Sequence, residues 1–190
     1  MNLVYTFWEI SAPAEKLRKV QEFLDKYENR KPRLLYQIAE ENVFFPHTRY
    51  CGEIIDSVMA NGKLFIDEES NRPQIEFIES LLDHFIPDKD YRLEYISESD
   101  DNGEFFTNKE AYKGKYKLDG ELPELELPEF DHLDPYCLSE EGLKNILGYI
   151  FKKKHASLSV LLEIFEDRDC YYDLSVHKWD YVTVPELKGE

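Results

Sequence analysis

The chain of 190 residues has three cysteines, Cys51, Cys137 and Cys170, odd in number and far apart, so no disulfide framework and no Cys-x-x-Cys zinc or redox pair is expected. Reduced, structural thiols and a cytoplasmic location are the expectation. No run of about 18 apolar residues occurs, which argues against a membrane-spanning helix. Trp8-Glu9 interrupts the early apolar run and no cationic segment precedes it, unlike a secretory signal. Also missing are Gly-x-Gly-x-x-Gly, a Walker loop and Gly-x-Ser-x-Gly, so dinucleotide, nucleoside-triphosphate and serine-hydrolase chemistries lose their usual markers. His47, His84, His132, His155 and His177 share no zinc-ligand spacing. No metal and no cofactor is expected. Basic residues are short as well: 23 Lys and Arg stand against 40 Asp and Glu, a net charge of −17.

That deficit is concentrated. Residues 61–140 carry 8 basic and 22 acidic side chains, a net of −14, whereas residues 1–60 and 141–190 are nearly balanced. Such a field repels phosphate backbones, which disfavours direct nucleic-acid binding, and favours a basic protein as partner. The bland alternative is that the acids form a solvated, solubilising surface. Hydrophobic residues at 42% and aromatics at 14% mark a globular chain, and its length suffices for a core without staples.

The organising stretch runs from Asn61 to Asn108. Asn61-Gly62 between β-type residues signals a type I′ hairpin, because both central residues need positive φ. Phe65 and Ile66 read as strand, followed by Asp67-Glu68-Glu69 and the helix-start signals Ser70, Asn71 and Pro73. Ile75, Ile78, Leu82 and Phe85 recur at helical spacing, and Pro87 stops the helix. Residues 91–97 and 104–107 then read as strands joined at Asp101-Asn102-Gly103. Earlier, residues 3–10 form a strand rich in aromatic and β-branched side chains. A helix with Leu17, Val20, Leu24 and Tyr27 on one face follows, residues 33–45 are ambiguous, and residues 52–59 lead into the hairpin as a strand.

Beyond Lys117 an acidic, apolar-alternating run with Pro123 and Pro128 reads as an extended connector. Ser139 then caps a helix whose apolar face is Leu143, Ile146, Leu147, Ile150 and Phe151. Strands are expected over residues 157–165, 170–176 and 179–184, the first because Leu158, Val160, Leu162 and Ile164 alternate. The predicted class is α+β: a ferredoxin-like antiparallel sheet with two helices on one face, plus a C-terminal helix and β-strand extension. The predicted organisation is a domain over residues 1–118, a connector over 119–137 and an extension over 138–190 packed on the first part.

Phe65-Ile66-Asp67, Pro73, Phe85-Ile86-Pro87 and Tyr95-Ile96-Ser97-Glu98 together resemble the ferredoxin-like domain family named after the plasmid protein YubB. The likeness covers about a quarter of the chain. It departs from the family's pattern at Ser70 to Arg72, where a Trp and a second proline are often seen. The resemblance implies a ferredoxin-like fold and mobile-element or phage cargo, and it implies no activity.

Chemistry is sparse. Glu98-x-Asp100-x-Asn102-Gly103 approaches a calcium loop, but the twelfth position is Lys109 where a bidentate carboxylate belongs, so it reads as a hairpin turn. A hydrolase would need a site assembled in space, such as a cysteine beside a histidine. The sequence instead points to a non-enzymatic interaction module. Its contact patch is expected where aromatics interleave with acids: Phe105, Phe106, Tyr112 and Tyr116 around Glu98, Asp100, Asp101 and Glu104. That patch requires at least one of the four aromatics to be exposed. A rival reading is an acidic inhibitor, a DNA mimic or immunity-type protein, that blocks a basic nucleic-acid-binding surface.

Overall fold

The computed structural model describes residues 3–46, 49–99, 103–120, 133–167 and 174–188. They fall into two compact units, Met1–Lys109 with Val182–Glu190, and Glu110–Tyr181. The class is α+β.

In the first unit the chain order is β1 (Val4–Ser11), α1 (Ala14–Asp25), β2 (Arg33–Leu34), α2 (Leu35–Glu40), β3 (Glu53–Ala60), β4 (Lys63–Ser70), α3 (Ile75–Phe85), β5 (Arg92–Ser99) and β6 (Glu104–Thr107). These six strands lie in the spatial order β2-β3-β4-β1-β5-β6. Every pairing between neighbours in this run is antiparallel. The strands expected around residues 3–10, 52–59, 63–66 and 91–97 thus share one sheet. Asn61 and Gly62 turn the β3–β4 hairpin with φ of 50° and 75°, as a type I′ turn requires.

Alternation divides the sheet into two faces. Val4, Thr6, Trp8 and Ile10 of β1 are buried, as are Leu64, Ile66, Glu68 and Ser70 of β4. Leu17, Val20, Phe23 and Leu24 of α1 and Ile75, Phe77, Ile78, Leu81 and Leu82 of α3 are buried with the apolar members of that face in one cluster. Both helices therefore cover the same side. Trp8 and Tyr95 meet there with ring centroids 5.6 Å apart, and Phe45 stacks on Phe77 at 4.5 Å. A short C-terminal helix, α6 (Val184–Lys188), returns to this unit, with Val184 and Leu187 against the same cluster.

The second unit holds a single helical turn at Glu110–Tyr112, β7 (Tyr116–Gly120), α4 (Glu140–Ile150), α5 (Leu158–Asp167), β8 (Leu174–Lys178) and the two-residue β9 (Asp180–Tyr181). β7 pairs antiparallel with β8. Ser139 caps α4 as expected, its Oγ accepting from the Gly142 amide at 3.0 Å. Leu118, Leu143, Ile146, Leu147, Leu158 and Leu161 form this unit's core.

Three expectations need correction. Residues 157–165 are helix, not strand: Leu161 is fully buried whereas Val160 is 41% exposed, the reverse of what the alternating pattern requires. Leu158, Leu161, Leu162 and Phe165 pack into the core at helical spacing, and the Ser157 hydroxyl accepts from the Val160 amide. The three-strand C-terminal extension is accordingly reduced to β8 and the short β9, with α6 beginning at Val184. Finally, the strand expected over residues 63–66 does not end at Ile66: Asp67, Glu68 and Glu69 continue β4 to Ser70, which is a strand residue and not a helix start, and α3 begins at Ile75. Of the expected connector, residues 119 and 120 belong to β7 and residues 133–137 make turns ahead of Ser139, where the Cys137 amide donates to the Asp134 carbonyl at 3.0 Å; residues 121–132 lie outside the described residues.

Candidate functional site

Within the first unit, the residues expected as a patch are divided between the two faces of the sheet. Glu98 and Phe105 are cross-strand partners, so they share one face of the sheet. Glu104 and Phe106 stand on the other, helix-covered face, where both line a cavity of about 200 Å³ with Val4, Ser97, Ser99 and Arg72. Asp100 and Asp101 lie outside the described residues. Tyr112 and Tyr116 belong to the second unit, where Tyr112 meets the Trp179 ring edge-on at 5.4 Å. Phe105 is buried, and Phe106, Tyr112 and Tyr116 are half-buried. None of the four is an exposed anchor: alternation turns Phe106 to the helix side, whereas Phe105 is 2% exposed although it stands on the opposite face with Glu98.

Aromatic exposure occurs instead on β1. Tyr5 and Phe7 are each 44% exposed, on the sheet face away from α1 and α3. Register fixes their neighbours. One row across the strands reads Glu53, Glu69, Tyr5, Glu98, and the next reads Asp56, Asp67, Phe7, Ile96. A third row is Val58, Phe65, Glu9, Glu94, with Val58 49% exposed. The fourth is Ala60, Lys63, Ser11, Arg92. The face is therefore graded, acidic at one end and basic at the other.

The basic end is neutralised internally. Glu9 receives both Lys63 and Lys109, the latter at 2.5 Å, and Arg92 pairs with Glu94 at 2.8 Å. Partial burial pushes the Glu9 carboxyl up, but the hydrogen bonds and charges of Lys109 and Lys63 outweigh it and hold the group below the ordinary glutamate range. The acidic end has no such compensation: among the described residues, Glu53, Asp56, Asp67 and Glu69 form no ion pair. Glu53 stands directly opposite Glu69, and Asp56 opposite Asp67, an arrangement that costs stability across a sheet. Burial and the Asp56 charge raise the Asp67 carboxyl above its usual range. Sequence reasoning missed this surface. The available signal was aromatics at both parities of β1, Tyr5 and Phe7 against Trp8, which promises an apolar ring on each face.

A second unusual group is Glu68, buried on the helix side of β4. Its carboxylate accepts from Trp8 Nε1 at 2.8 Å, from Ser70 Oγ at 2.7 Å and from the Gln74 amide at 3.0 Å, ahead of α3. Desolvation outweighs these three bonds and raises the carboxyl to about 7. Ser70 Oγ also lies 2.6 Å from the Arg72 carbonyl. One hydroxyl proton cannot serve two acceptors. When Ser70 donates to Arg72, a protonated Glu68 can donate to Ser70, so the geometry accommodates the neutral acid. Among the described residues, Glu68 is held by Trp8, Ser70 and Gln74, and by no histidine or thiol. Another cavity, of about 340 Å³, is lined by Tyr36, Phe45, Tyr50, Arg49 and Cys51. Among the described residues no group of three or more His, Cys, Asp and Glu side chains is placed to hold a metal ion. No helix among them is long and apolar enough to cross a membrane.

No family model matches the chain, and no solved structure matches it. Among curated proteins, Dicer-like protein 2 of Emericella nidulans aligns at 34% identity over 70 residues, which is 30% of this chain and 5% of that protein. The chain thus spans about a twentieth of the length of the curated relative it matches. That short alignment does not define a family for it.

Proposed function

We propose that this chain is an acidic, non-enzymatic protein-interaction module, cytoplasmic, built on a ferredoxin-like plan that β2 and β6 extend, and akin to the YubB-type domains. The antiparallel order β3-β4-β1-β5, with α1 and α3 on one side, supports the ferredoxin-like reading. The observation that carries the functional reading is the sheet face opposite α1 and α3, at its β3, β4 and β1 side. It combines exposed aromatic and aliphatic side chains with carboxylates that have no cation among the described residues, as an interface does before its partner arrives. A basic protein is the partner class that this charge favours.

The inhibitor reading, in which carboxylates stand in for nucleic-acid phosphates, has less support. The acidic rows are only two deep, are interrupted by Tyr5 and Phe7, and end at Lys63 and Arg92. A hydrolase is supported less still, since Glu68 is held by Trp8, Ser70 and Gln74 rather than by a nucleophile or base. The test is affinity capture from the host's extract, with retained proteins quantified at low and high salt. The expected result is a reproducible set of basic partners that high salt releases. Capture that yields no reproducible partner contradicts the module reading.

A further inference from the structure

Resting on that reading, we propose that the acidic end of the sheet face opposite α1 and α3, at β3, β4 and β1, docks an arginine-bearing, extended segment of a partner protein. The argument is charge complementarity joined to ring geometry. Glu53, Asp56, Asp67 and Glu69 sit in two adjacent rows, like charge opposite like charge, with no cation between them among the described residues. Cations placed over these rows relieve a repulsion that the fold itself leaves standing.

Beside the carboxylates, Tyr5 and Phe7 present their rings at 44% exposure each. Two positions apart on one strand, they are separated by about 6.8 Å, which matches the spacing of alternate side chains on an extended peptide. Guanidinium is the group that uses both features. It stacks on an aromatic face and donates two parallel hydrogen bonds to a carboxylate, whereas an ammonium is a more strongly hydrated point charge.

Other occupants fit less well. A second copy would set the unpaired carboxylates against their own kind, with Lys63 and Arg92 already engaged by Glu9 and Glu94. A nucleic acid or an anionic membrane is repelled by the same field. Strand addition along β3 is hindered, because β2 already pairs with it at Glu53 and Ile54 and a bulge falls between Ile54 and Asp56. Arg33 also donates to the Ile54 and Ile55 carbonyls, and Gln21 to that of Ser57.

The experiment titrates the full chain, by calorimetry and amide chemical shifts, with a dodecapeptide alternating arginine and threonine. The lysine and glutamate analogues serve as comparisons. The expected result is binding of the arginine peptide, several-fold weaker binding of the lysine peptide and none of the glutamate peptide. Amide shifts should centre on β1, β3 and β4. The double variants Tyr5→Ala with Phe7→Ala, and Asp67→Asn with Glu69→Gln, should each weaken binding about tenfold, the scale of one or two desolvated cation–ring or charge contacts. The charge-matched control Glu15→Gln with Glu22→Gln, on the exposed side of α1, should bind as the parent does. Equal affinity for lysine and arginine, shifts confined to residues 110–181, or a dimer in sedimentation that closes this face would each overturn the proposal. The capture experiment separates the two levels. If partners are still captured and the Tyr5/Phe7 variant retains them as well as the parent, the surface assignment falls and the module reading stands. If neither peptide nor partner binds, both fall.

Discussion

At the scale of single residues, Glu68 shows how burial and hydrogen bonding compete over one proton. Three donors favour its anion, but a carboxylate removed from water costs more than they return, and the group titrates at about 7 in the fold. In the unfolded chain it titrates near 4.5. The folded state therefore binds the extra proton between those values, so stability falls as pH rises from about 4.5 to about 7, and the loss is complete above that window. At about 1.4 kcal/mol per unit the full span is on the order of 3 kcal/mol. Chemical denaturation across this range should show that slope, and Glu68→Gln, which cannot titrate, should flatten it. An unchanged slope in the variant would mean that other groups set the pH dependence. Gly52 makes a second residue-scale case. Its φ is +104°, and a Cβ there would run into the Glu69 carbonyl and the Ser70 side chain. Gly52→Ala should therefore lower stability by about 2 kcal/mol or more, combining left-handed strain with a displaced β4. A loss under half that in denaturant melts would show that the strand edge yields freely.

Among the elements, α5 is the instructive one. Leu158, Val160, Leu162 and Ile164 alternate as a strand would, yet Leu158, Leu161, Leu162 and Phe165 also recur as a helix requires. A short apolar run satisfies both periods, and only packing against α4 and β7 selects between them. The two readings separate cleanly on mutation. Leu161→Ala removes a fully buried side chain and should cost about 2–5 kcal/mol, whereas Val160→Ala, on a 41% exposed residue, should change stability by about 0.5 kcal/mol or less. Comparable losses at both positions, read from urea melts, would contradict the helix. The strand β4 teaches the converse lesson. Three consecutive acids lie beyond the strand read at residues 63–66, but the strand continues through them, and alternation sends Glu68 inward and leaves Asp67 and Glu69 on the opposite face.

For the whole molecule, the excess of negative charge is a standing repulsion. Raising NaCl from about 10 mM to about 1 M shortens the screening length from about 30 Å to about 3 Å. The described ion pairs are mostly at the surface and contribute little individually, so relief of self-repulsion should dominate. Thermal midpoints should therefore rise by several degrees with salt. A fall would show that the ion pairs, Glu9 with Lys63 and Lys109 foremost, matter more than the net charge of −17.

Much of this architecture was legible in local patterns. Asn61-Gly62 announces its hairpin through backbone chirality, the stripes of α1 and α3 announce their buried faces, and Ser139 announces the start of α4. Each depends on residues within a few positions of one another. The open face was not legible. With Tyr5 and Phe7 at one parity of β1 and Val4, Trp8 and Ile10 at the other, both sides are apolar enough to be buried, and period alone cannot choose. The choice was made when α1 and α3 together covered the Trp8 side, since their stripes could be buried in one cluster only there. That same event placed Glu68 in the core, put Glu69 and Asp67 beside Tyr5 and Phe7, which lie more than 55 residues away in the chain, and left those rings toward solvent. Covalent neighbours determined the elements; which acids and which rings share a surface was decided by tertiary pairing, because register joins residues that the chain keeps apart.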